Sequence, residues 1–127
     1  MTSAAEENYR KGVGLLETGD FAGALVAFDT SLQGAPHIAA AHYGRANALA
    51  MLRRLDEAVK AYERCAAIEP SHVAALYNQA IALTQLQRWQ DALAMLDRIV
   101  AKFPAISDAW NNRAGVLQAL GRTEEGL

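Results

Sequence analysis

The chain has 127 residues, 52% of them hydrophobic, one cysteine and a formal net charge of −2. That length suits one domain with its own core, no apolar run approaches the roughly 20 residues that cross a bilayer, and the lack of a basic excess argues against nucleic acid as the main partner. A single cysteine forbids an internal disulfide, and the polar start MTSAAEENYRKG offers no apolar leader, so the expectation is a cytoplasmic chain with no membrane contact.

In chain order, Ser3 and Glu6 stand at capping-box spacing and open a first helix that carries Gly12 and Leu15. Gly19 marks a turn, a second helix carries Phe21, Ala24, Leu25 and Phe28, and Pro36 ends it. The third helix holds Ala46, with Leu49 and Leu52 on one face, and a short turn follows near Arg53 and Arg54. Leu55, Val59 and Tyr62 then line one face of a fourth helix that ends at Pro70. A fifth helix carries Ala80 and Leu83, and a sixth carries Trp89, Ala92, Leu93 and Leu96 before Pro104. Ser107 precedes a seventh with Trp110, Ala114 and Leu117, and Gly121 stands where a turn is expected. The remaining residues are too few for a stable helix of their own.

The prolines at 36, 70 and 104 are the only ones and lie 34 residues apart. Cutting at that interval gives units 5–38, 39–72 and 73–106 and a truncated fourth, 107–127. Position 8 of the units is Gly12, Ala46, Ala80 and Ala114; position 11 is Leu15, Leu49, Leu83 and Leu117; position 20 is Ala24, Ala58, Ala92 and Gly126. Small and large columns alternate in register, so the chain is an internal repeat of helix pairs. Short connections make the two helices of each pair antiparallel neighbours, and the small columns let their backbones approach.

This period, the alternation of large and small residues and the closing proline resemble the tetratricopeptide repeat, over nearly the whole chain from Ala5 onward. Two departures stand out. Position 4, bulky in the family, is Asn8, His42, Leu76 and Trp110; position 7, usually leucine, is Lys11, Arg45, Gln79 and Arg113, which predicts weaker packing at that edge. The resemblance implies an all-α fold, a right-handed superhelical solenoid of antiparallel helix pairs forming a single unit over 1–127. It also implies a concave groove built by the first helix of each pair.

In the family that inner face uses positions 2, 5, 6, 9, 12 and 13, which here makes Tyr9, Tyr43, Asn47, Tyr77, Asn78, Asn111 and Asn112 the candidate binding residues. Tyrosine supplies rigid area with a polar tip, and asparagine both donates to and accepts from a peptide backbone. Tyr and Asn are common at these positions across the family, so shared ancestry also accounts for them. The chaperone-tail receptors of the family hold a terminal carboxylate with lysines and asparagines. The best-matching frame here is Tyr43, Asn47, Asn78, Asp108 and Asn112. It keeps both asparagines but has no cation, and Asp108 has the wrong sign, so the clamp is missing.

Other chemistry is sparse. Cys65 stands at position 27 opposite Ser31 of the first unit and reads as a small packing residue. His37 and His72 fall in inter-repeat turns and His42 at a packing position, without metal-ligand spacing. The GVG at 12–14 lacks the strand and spacing of a nucleotide loop, and Glu57, Asp91 and Glu125 at position 19 read as solvated charges. No metal or cofactor is implied. The reading is a non-catalytic protein- or peptide-binding scaffold that takes an extended peptide or a helix. The alternative is a substrate-recruiting segment of a larger enzyme, such as a bacterial glycosyltransferase. A fourth unit without its second helix predicts weak self-association through the C-terminal end, and a chain that is a fragment of a longer protein.

Overall fold

A computed structural model of the chain describes residues 3–124. Among them are seven helices and no strand: α1 (Ala4–Thr18), α2 (Phe21–Gly34), α3 (Ala39–Met51), α4 (Leu55–Ile68), α5 (Val73–Gln85), α6 (Trp89–Lys102) and α7 (Ser107–Glu124). Each helix packs mainly on the next in sequence, and α1 also touches α3. The chain is an all-α solenoid of stacked helix pairs.

The turns inside the pairs explain why the pairs close. At the end of α1 the Asp20 N–H donates to Leu15 O at 2.9 Å and the Gly19 N–H to Leu16 O at 3.1 Å. Gly19 takes the left-handed conformation, φ 86°. This is the Schellman arrangement, which satisfies carbonyls that the helix end leaves open. It recurs twice: Arg54 donates to Leu49 and Arg53 to Ala50, then Arg88 to Leu83 and Gln87 to Thr84. There the left-handed residue is Arg53 (φ 61°) and then Gln87 (φ 60°), in the place glycine holds in the first pair.

Helix starts use several devices. Ser3 Oγ accepts from the Glu6 N–H at 3.1 Å, and an Asp20 carboxylate oxygen accepts from the Gly23 N–H at 2.9 Å. Arg54 and Arg88 stand at the N-caps of α4 and α6 without a side-chain cap, and instead pair with Glu57 and Asp91 three residues on. Those two acids are thus partnered, and they also face the positive ends of their helices.

The core lies between the paired helices in two merging clusters. One centres on Phe28, Leu49, Tyr62 and Cys65, and the other on Leu83, Leu96, Ile99 and Val116. The small columns do what their size permits: Ala24, Ala46, Ala58, Ala80 and Ala92 have no exposed surface. Phe28 is fully enclosed, burial worth about 1.5–3 kcal/mol.

Two expectations change. The turn expected at Gly121 does not form, because α7 runs through it to Glu124. Elsewhere the left-handed residue is followed by a 14-residue helix that packs back on its partner. Gly121 does not take the left-handed conformation that Gly19 takes, so α7 keeps its helical path through it. Glu125, Gly126 and Leu127 lie outside the described residues. The polar residues at position 7 do not simply loosen the edge of the first helices, either. Arg45 pairs with Asp29 and Arg113 with Asp97, each at 2.6 Å, and Gln79 donates to Glu63 at 3.3 Å. All three partners sit 16 residues back, in the preceding helix pair. A polar ladder therefore crosses each inter-repeat seam; its two ion-pair rungs are part-exposed and worth less than about 1 kcal/mol each, while Gln79 of the middle rung is buried.

Candidate functional site

The first helices of the pairs, α1, α3, α5 and α7, bring the tyrosines and asparagines into register. Asn78 Nδ2 donates to Tyr43 Oη at 3.0 Å, and Asn112 Nδ2 makes the corresponding short bond to Tyr77 Oη. Donor and acceptor are 35 residues apart in both cases, one repeat plus one residue. Of the residues expected to meet a ligand, four are thus bonded to each other across the α3–α5 and α5–α7 seams.

The first seam has no such rung, and the cause is steric. Gly44 holds the place of Asn78 and Asn112, and a Cβ there would lie 2.4 Å from Phe28 Cζ. A Cβ at Gly12 would lie 2.7 Å from Phe28 Cε1. Phe28 fills the space between two glycines, and Tyr9 packs on its ring with centroids 6.0 Å apart. Asn111 is exposed and outside the rungs.

Tyr62 of α4 belongs to the site although it lies on a second helix. Its Oη donates to Asn47 Oδ1, and its ring lies 6.0 Å from that of Tyr43. Burial raises the Tyr62 pKa well above the usual phenol value, so it stays a protonated donor. His72 N-caps α5 through Nδ1, which accepts from the Ala75 N–H at 3.1 Å, and stacks on Tyr43 at 4.7 Å. Tyr43 is therefore fixed from three sides. The bond to Tyr62 uses only the oxygen of the Asn47 amide, and the rung uses only the nitrogen of Asn78. One amide keeps donor capacity and the other acceptor capacity, the pair that an extended backbone needs.

Sequence reasoning missed Tyr62. Its one signal was a polar tip in the column otherwise held by Phe28 and Leu96. It also missed that tyrosine and asparagine one repeat apart satisfy each other.

A cavity of about 270 Å³ opens between α3 and α5, with Asn47, Tyr62 and Asn78 in its lining. A larger one, about 460 Å³, lies between α4 and α6 and involves none of the groove residues. Its charges are largely spent, since Arg88 holds Asp91 and Gln79 holds Glu63. Cys65 is fully buried, and burial, with some help from Glu69, pushes its thiol up to about 11. It packs as the small residue expected there. His42 is buried with its ring nitrogen 2.9 Å from Pro36 O. Among the described residues no group of three metal-ligating side chains comes together, and no helix is long and apolar enough to cross a membrane.

Two family models described as tetratricopeptide repeat match the chain, over residues 9–73 and 51–114. Among curated proteins none matches in sequence. Solved structures do match. The first TPR of Spaghetti (RPAP3) bound to the HSP90 peptide SRMEEVD has a TM-score of 0.86 at 21% identity, over 92% of this chain and 93% of that one. The TPR2B-domain:pHsp70 complex of yeast Sti1 gives 0.82 at 24%, over 93% and 99%. MamA 41-end from Desulfovibrio magneticus RS-1 gives 0.88 at 22%, over 99% and 71%. At such identities the likeness is one of fold.

Proposed function

The chain belongs to the tetratricopeptide repeat family, and from that premise we propose that it is a non-catalytic scaffold that binds an extended peptide along the groove of α3, α5 and α7. The observation that carries this reading is the row of Tyr–Asn rungs with unspent amide capacity at Asn47 and Asn78, beside an open cavity. Binding of HSP90 and Hsp70 peptides by structural neighbours supports a peptide as the partner class. The carboxylate-clamp cations are absent here, so we assign this groove an internal segment rather than an acidic tail end.

The test is the combined substitution of Tyr43 and Asn78 by alanine. Peptides selected on the unaltered protein should lose about 1–4 kcal/mol of binding. Because the two residues bond to each other, the variant should also lose about 1 kcal/mol of stability. Equal affinity in the folded double variant places the binding surface elsewhere.

The exposed face of α7 supports a second, weaker association. Trp110 is 45% and Leu117 42% exposed, with exposed Ala114 between them. The same columns of α5, Leu76, Ala80 and Leu83, are buried under α6. The 127-residue chain should self-associate through this face when concentrated. Sedimentation across a concentration series, with Leu117→Lys as control, checks it: a species that stays monomeric throughout removes the idea.

A further inference from the structure

We propose that the 270 Å³ cavity between α3 and α5 is a specificity subsite: it takes an apolar side chain of the bound segment, and Arg53 holds an Asp or Glu side chain next to it. This rests on the groove reading above and adds the chemistry of the ligand.

The cavity's size and walls indicate a side chain. Its volume of about 270 Å³ falls just under the range of small-molecule pockets. Ile81 and Ala82 on α5 and Met51 on α3 give it an apolar wall. Met51 is 57% exposed, a large flexible thioether left at the rim of a cavity that it can adapt to fill or open. Asn47 and Asn78 sit in the same lining, so a backbone held by their amides would bring one side chain to the opening.

The charge comes from Arg53, the only charged residue in the lining. Its neighbour Arg54 is engaged by Glu57, and Arg45, Arg88 and Arg113 also pair with carboxylates, whereas Arg53 forms no ion pair among the described residues. No carboxylate lines the cavity to neutralise it. Arg53 also occupies the left-handed turn position, φ 61°, that glycine fills in the first pair. Gln87 takes the same conformation in the third pair without lining either cavity, so what sets Arg53 apart is its place in the cavity wall. One cation serves a single carboxylate on a side chain. A terminal carboxylate held as in the family's clamp would need the second cation, which is missing.

The experiment screens random short peptides, acetylated and amidated, against the 127-residue protein, with a free-carboxylate library in parallel. The amidated library should yield peptides with an aliphatic, Met or Phe residue next to Asp or Glu. Arg53→Gly relieves the turn, so it should fold with an unchanged or higher melting temperature and bind these peptides roughly tenfold or more weakly. Arg53→Glu should shift the selection to Lys or Arg, and Ala50→Leu, which narrows the cavity, should relax the apolar requirement. Selected peptides without an acidic residue, or equal affinity for Arg53→Gly, overturn the subsite. So does selection from the free-carboxylate library alone. In the first two cases the groove reading survives if the Tyr43 and Asn78 substitutions still weaken binding; in the third it survives on the same condition but loses its assignment to an internal segment. If they do not, or if neither library yields a binder, the groove reading falls and the subsite with it.

Discussion

At the scale of single residues, Phe28 decides most. Two glycines face its ring, and at Gly44 an added methyl would sit 2.4 Å from ring carbon. Gly44→Ala gains roughly 1 kcal/mol of helix propensity, yet the overpacking should make it a net loss of about 1–3 kcal/mol. Phe28→Leu, which copies Leu96 of the third unit, should make the methyl tolerable. A double-mutant cycle on chemical unfolding would then show strong favourable coupling, and additive losses would refute the steric account. Cys65 yields a second prediction. Below pH 9 both folded and unfolded chains hold a neutral thiol, and its burial contributes in full. Between 9 and about 11 the unfolded thiol ionises while the buried one does not, so stability falls as pH rises. Tyr62, raised by burial too, adds to that loss above pH 10. Cys65→Ala should cost about 1 kcal/mol at neutral pH and flatten the decline between 9 and 10, as read from melting curves across pH. The packing role of Cys65 was legible in Ser31, which holds the same place in the first unit, although Ile99 holds it in the third. The reason for Gly44 was not, because it depends on a ring 16 positions earlier in sequence whose direction no periodicity specifies.

At the scale of elements, the turn is the informative unit. One hydrogen-bond pattern closes all three helix pairs, but two of them keep a side chain in a left-handed conformation. Gln87 is the turn residue of the third pair and lies outside both cavities. Gln87→Gly should therefore raise stability by about 0.5–1 kcal/mol, the relief of strain exceeding the extra freedom of the unfolded chain. A lower melting temperature would show that the left-handed strain there is negligible. Helix positions could be read from the sequence because the prolines and the small columns repeat in one register. The fate of Gly121 could not, since the same glycine permits a turn or a continuing helix, and only a packed second helix selects the turn. The position-7 ladder escaped notice for a related reason. Arg45, Arg113 and Gln79 looked like defects against a leucine column, and their partners become visible only when neighbouring pairs are stacked.

At the scale of the whole molecule, contacts run almost entirely between successive helices, so stability accumulates along the stack. Hydrogen exchange should find the strongest protection in α3, α4 and α5, the middle of the stack, and the weakest in α7, whose Trp110–Leu117 face is open. Uniform protection would mean that the stack unfolds as one block. Most of the candidate groove residues were legible as columns of Tyr and Asn, but their bonding to one another was not, because each rung joins residues a full repeat apart. The seams are also unequal. α1 touches α3, drawn in by Gly12 and Gly44 around Phe28, whereas α3 and α5 are held apart enough to leave a cavity and are bridged by the Tyr43–Asn78 bond. Viewed as a spring, the solenoid has a stiff coil at its first seam and a compliant one at its second. Tension along its axis would stretch the second coil before the first and lengthen its pitch. A ligand lodged there would act as a splint across that coil.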